Sequence, residues 1–156
     1  MKKYVLIAFL LVSVVGFSQK VQVLGNWSKT LKASDISSAG SDYESSYTSK
    51  NKQSKITITP VPNSGYNRRY MPFKVFVHKE DIEWHPNLKI EAMVSSNTHG
   101  NSSGRSFQEI TNNTTLFFNT LGRRKNIPIK YKITGLSVTI PAETYATEII
   151  YTVLNL

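Results

Sequence analysis

The segment His78-Lys79-Glu80-Asp81-Ile82-Glu83-Trp84-His85 gathers two of the three histidines of the chain with the carboxylates of Glu80, Asp81 and Glu83. These are the residue types that hold metal ions and move protons. On an extended chain side chains alternate, so His78, Glu80, Ile82 and Trp84 fall on one face and Lys79, Asp81, Glu83 and His85 on the other. The two histidines then share no face, and their spacing matches no ligand motif, so the segment reads as a polar connection between strands; no metal and no cofactor are expected. Glu80, Asp81, Glu83 and Glu91 are also the acids close enough in sequence to be weighed as a glycosidase pair. A small sandwich without long inserted loops offers such a pair little cleft. Gly-x-Ser-x-Gly does not occur, and Ser102 and Ser103 beside His99 lack an orienting acid nearby. No catalytic residue is expected, and the chain reads as non-enzymatic.

The second candidate chemistry is cationic. The formal charge of the whole chain is +9, and the lysines and arginines are dispersed apart from Arg68-Arg69 and Arg123-Arg124-Lys125. Arg68, Arg69, Arg123, Arg124 and Lys125 are therefore the candidate set for a polyanion, since cations that bind one release its condensed counterions. A well-solvated basic surface is the competing reading. Tyr66 and Tyr70, which flank Asn67-Arg68-Arg69, are the aromatic residues best placed for a stacking surface, whereas Trp84, alternating with Ile82, is assigned to the core.

The start of the chain says where this chemistry would operate. Lys2 and Lys3 precede an apolar run from Tyr4 to Val15, and Gly16 and Ser18 set small residues before a cut at Gln19. About a dozen apolar residues fall short of the ~20 that cross a bilayer, so residues 1–18 read as a cleavable signal peptide and the mature chain carries no membrane span. The short di-lysine leader is of bacterial type. The expected destination is secreted, extracellular or at the cell surface, with the periplasm as alternative. Loss of Lys2 and Lys3 lowers the charge by two and leaves the mature protein basic. There is no cysteine, so disulfides, zinc-thiolate sites and a thiol nucleophile are excluded.

Residues 19–156 have the size of one domain, and their pattern is written in period two. Lys55-Ile56-Thr57-Ile58-Thr59 alternates and is ended by Pro60 and Pro62. Ile127, Ile129, Tyr131 and Ile133 share one face of a strand whose other face carries Lys130 and Lys132. Further strands are expected at Val21 to Val23 with a continuation over Trp27 to Leu31, and at Phe73 to Val77 and Ile82 to His85. Leu88 to Val94, Phe107 to Ile110, Thr114 to Phe118, Leu136 to Ile140 and Thr147 to Leu156 complete the set. The last has apolar residues on both faces. No segment sustains a helical period. The expected fold is all-β, an antiparallel β-sandwich, with a closed barrel as alternative.

Ser106-Phe107-Gln108-Glu109-Ile110, Leu116-Phe117-Phe118, Asn126-Ile127-Pro128-Ile129-Lys130-Tyr131 and Pro141-Ala142-Glu143-Thr144-Tyr145, leading into Ile149-Ile150-Tyr151-Thr152-Val153, form a sequence of short motifs. Together they resemble the closing half of secreted bacterial β-sandwich subunits of the spore coat protein U and fimbrial type. The resemblance implies an incomplete immunoglobulin-like sandwich whose missing strand is lent by a neighbouring subunit, an assembly role and no catalysis. This chain differs from that pattern in having no cysteine pair and no glycine in the Ala142-Glu143-Thr144-Tyr145 turn. The leading expectation is a structural or adhesive cell-surface subunit that joins itself or related subunits by strand addition, with Val21 and Val23 near the mature terminus as the exchanging strand. The runner-up is an extracellular domain that binds an anionic glycan or other polyanion.

Overall fold

The structure is a computed structural model that describes residues 20–36, 38–60, 71–96 and 104–155. Among these residues nine strands, β1 (Lys20–Leu24), β2 (Ser46–Thr48), β3 (Ser54–Thr59), β4 (Pro72–Glu83), β5 (Lys89–Val94), β6 (Gln108–Ile110), β7 (Thr115–Leu121), β8 (Arg124–Thr134) and β9 (Ala146–Asn155), form two antiparallel sheets. The larger sheet runs β1-β3-β8-β5-β6, with β2 continuing β3 along the same side of β8; the smaller runs β7-β4-β9. The helical content of the described residues is a single 3-10 turn at Ala33–Asp35. The fold is an all-β sandwich.

Alternation sets what the sheets bury. Ile56 and Ile58 of β3, Ile90, Ala92 and Val94 of β5, and Ile127, Ile129 and Tyr131 of β8 are buried on the inner face of the larger sheet. Phe73, Val75 and Val77 of β4 meet them from the smaller sheet with Phe117 and Phe118 of β7. Pro128 lies within β8. Its carbonyl accepts the Ser95 amide at 2.9 Å, but proline has no N–H to return, and β5 ends one residue earlier at Val94.

A polar tie crosses the sandwich. The Tyr131 hydroxyl is 2.6 Å from Ser54 Oγ and 3.1 Å from the Tyr151 hydroxyl, so it joins β3 and β8 to β9. Trp27 does not continue β1 but turns inward, its ring stacked on Tyr131 at 6.3 Å between centroids. Two other expected elements differ. Phe73 to Val77 and Ile82 to His85 belong largely to one long strand, β4, and Leu136 to Ile140 is a turn instead of a strand. There the Asp42 carboxylate accepts the Val138 amide at 2.8 Å and the Ile140 amide donates to the Ser137 carbonyl, which closes a turn on amides a ladder would have used.

Candidate functional site

The His and carboxylate segment is dispersed by the fold. His78 and Glu80 lie on the outer face of β4 with 3.8 Å between Nε2 and Oε1, whereas His85 sits past the strand end, edge-to-face with Tyr145. Glu91 is on the other sheet and paired with Lys132 at 2.6 Å. The described residues hold no group of three or more His, Asp or Glu side chains that could ligate a metal. Asp81 instead ties elements together. It pairs with Lys79, accepts Asn112 Nδ2 from the β6–β7 turn at 3.2 Å, and lies 3.2 Å from the Thr147 hydroxyl of β9. Burial pushes its pKa up, but these hydrogen bonds and the Lys79 charge outweigh it and hold the carboxyl below its ordinary range. Lys79 takes an inward position of β4, its ammonium 5.7 Å from the centroid of the Trp84 ring.

The basic residues separate in the same way. Arg123 and Lys125 are exposed at the start of β8, while Arg124 between them turns to donate from Nε to Thr120 Oγ1 at 3.3 Å. Arg68 and Arg69 lie outside the described residues, as do Tyr66, Tyr70 and the whole of residues 1–18. Lys20, absent from the sequence-based set, joins Arg123 and Lys125 around one shallow groove. Nothing local in the sequence announces this, because Lys20 reaches β8 only through the pairing of β1 with β3 and of β3 with β8.

Val21 and Val23 lie in β1, which pairs antiparallel with β3 of the same chain from Lys20↔Thr59 to Leu24↔Lys55. Val21 packs against the core, and Val23 is 41% exposed. β1 is an end strand of the larger sheet, and a longer edge lies at the other end of the chain. β9 follows β4 in unbroken register from Phe73↔Asn155 to Asp81↔Thr147, and among the described residues no strand pairs with its second edge. The expectation that both faces of this strand carry apolar residues meets an edge position: Ile149, Tyr151 and Val153 pack on the core, while Ile150 is half-buried and Leu154 is 51% exposed. Phe76 of β4 and Leu116 of β7 lie opposite each other on the same outer face. The outer face of the smaller sheet is therefore apolar at its centre.

Edge strands are usually blunted by proline, lysine or a bulge. β9 has Glu148 as its single charged residue, no proline, and one register shift, at its very start. The turn that delivers it is firmly set, since the Tyr145 hydroxyl donates to the Pro141 carbonyl four residues upstream at 2.9 Å.

No family model matches the chain, and no curated protein or solved structure is significantly similar to it. Function must be read from these surfaces. Among the described residues no helix is long and apolar enough to cross a membrane.

Proposed function

We propose that this protein is an exported, non-enzymatic structural or adhesive cell-surface subunit that associates with a second copy of itself by strand addition at β9. The observation that carries the reading is the edge of β9, ten residues long and unpaired among the described residues, flanked by Ile150, Leu154 and Phe76 on the outer face of a sheet that is three strands wide in those residues. Unpaired amides and carbonyls at such an edge supply the bonding, and alternate side chains set the register. Two copies of one strand meeting antiparallel about a two-fold axis form a closed, self-complementary contact, so the expected product is a dimer and not an open fibre. The cleavable leader expected at residues 1–18 accounts for the location.

Size-exclusion chromatography with light scattering, on the mature chain over a range of concentrations, tests this. A concentration-dependent dimer is expected. The double variant Ile150→Lys, Leu154→Lys places two charges per copy on the contact and is expected to be monomeric with a far-ultraviolet spectrum unchanged. Removal of residues 20–24 is expected to lower the melting temperature but leave the dimer, because β1 is an edge strand of the other sheet. A strict monomer at millimolar concentration would defeat the proposal, and a dimer that survives the lysines but vanishes with β1 would transfer the strand exchange to Val21 and Val23.

A further inference from the structure

The groove beside Lys20, on the outer face of the larger sheet, is separate from the β9 edge and has its own chemistry. It is an open depression of about 390 Å³. Lys20 of β1, Lys125 of β8 and Arg123, the residue before β8, supply its cations; Gln22, Thr57 and Thr59 supply uncharged donors and acceptors between them. The remaining wall is Asn126, held at φ +55° where β8 slips register against β3, its amide donating to Thr57 Oγ1 at 3.1 Å. A left-handed residue at this point is tolerable because asparagine is among the few side chains that adopt it readily. The slip presents Arg123 and Lys125 toward the β1 side of the sheet. Among the described residues no carboxylate lines the groove.

The charge of this sheet face is divided. On the β5–β6 side each outward acid is answered by a lysine, Glu91 by Lys132 at 2.6 Å and Glu109 by Lys89 at 3.3 Å. On the β1–β3–β8 side the positive charge is in excess: among the described residues Lys20, Lys55, Arg123 and Lys130 have no acidic partner. Lys55 stands one outward position from Thr57 on β3, and Lys130 lies further along β8, past Pro128, which pairs with Lys55. Outward positions on a strand recur at roughly 7 Å, so the cations continue from the groove as a ladder and not as a single cluster.

We propose that this face is a binding site for an anionic polysaccharide, seated in the groove and running along β3 and β8 toward Lys130. Cations that continue along the strands beyond the groove suit a ligand whose own charges recur along its length. Between them, the hydroxyls of Thr57 and Thr59 and the amides of Gln22 and Asn126 match the hydroxyl groups of sugars. Single-stranded nucleic acid shares the repeating charge, but it is held by aromatic rings on which bases stack, and among the described residues no aromatic one lines the groove.

Titration calorimetry at low salt with polygalacturonate and with heparin tests the site, using single-stranded oligo-dT as the competitor of equal charge. Lys20→Ala with Arg123→Ala is expected to weaken glycan binding about tenfold or more, and binding is expected to fall steeply as salt rises. Lys50→Ala with Lys74→Ala removes the same charge away from the groove and is expected to cost less than about threefold. Preference between polygalacturonate and heparin separates a carboxylated from a sulfated ligand, and either one supports the site. Equal loss in both double variants, no binding of either glycan by the folded protein, or tighter binding of oligo-dT than of the glycans overturns it.

Discussion

Alanine at Gly135 is expected to remove about 2–5 kcal/mol of stability, a large part of the 5–15 kcal/mol that usually holds a domain of this kind. Gly135 follows the last residue of β8 at φ +83°, a conformation that costs an L-residue roughly 1–2 kcal/mol. A Cβ there would also stand 2.0 Å from the carbonyl oxygen of Asn87, a backbone atom in the β4–β5 turn that cannot swing aside. Forcing that approach adds about 1–3 kcal/mol. Gly40 provides the comparison, since it has the same φ of +83° but nothing within 4 Å of an added Cβ. Gly40→Ala is expected to show the conformational cost alone, roughly 1–2 kcal/mol. Urea unfolding of the two variants measures the difference directly. Equal losses would mean that the exit from β8 is not threaded against the β4–β5 turn.

Where one face of a strand is buried and the other wet, the sequence states the strand plainly, as β3 and β8 do. It is misleading where a polar side chain occupies an inward position or where the amides of an apolar alternation are taken by a side chain from elsewhere in the chain. Lys79 is the first case. Its charge breaks the pattern between Phe73 to Val77 and Ile82, yet β4 runs straight through because Asp81 and the Trp84 ring receive the ammonium. Leu136 to Ile140 is the second case: alternation of Leu, Val and Ile with Ser and Thr reads as a strand, but Asp42, distant in sequence, takes the Val138 amide.

The surfaces proposed for function were legible in part and for a similar reason. Arg123 and Lys125 could be singled out as a run, but Arg124 could not be separated from them without knowing that Thr120 accepts its Nε–H. Lys20, more than a hundred residues from them in the chain, joins them through two successive strand pairings, β1 with β3 and β3 with β8, which composition does not encode. In the C-terminal strand, apolar residues on both faces are compatible equally with a central strand and with an edge that expects a partner. Sheet order separates the two, and it sets β9 at an edge.

The core tie centred on Tyr131 carries the other large expected effect. Tyr131→Ala is expected to cost about 3–5 kcal/mol, the range for removing a buried ring, because the ring stacks on Trp27 and is 5% exposed. Tyr131→Phe keeps the ring and deletes the hydroxyl, leaving Ser54 Oγ, in a residue 1% exposed, without its partner. That loss is expected to be about 1–3 kcal/mol. The same hydroxyl also shapes the response to alkali. Burial pushes the pKa of Tyr151 well above its usual 10, and the charge and hydrogen bond of Tyr131 raise it further. A folded-state pKa above the unfolded one means that the folded protein holds its proton longer. The stability linked to Tyr151 is therefore complete below pH about 10 and is lost as pH climbs toward the raised value. Tyr151→Phe deletes that titration and is expected to cost about 0.5–1.5 kcal/mol at neutral pH, since Tyr131 keeps Ser54. Its stability should then decline less than that of the parent across the alkaline range, with Tyr131→Phe between the two. Urea midpoints from neutral to strongly alkaline pH provide the check; parallel curves for parent and Tyr151→Phe would show that the two hydroxyls do not meet inside the sandwich.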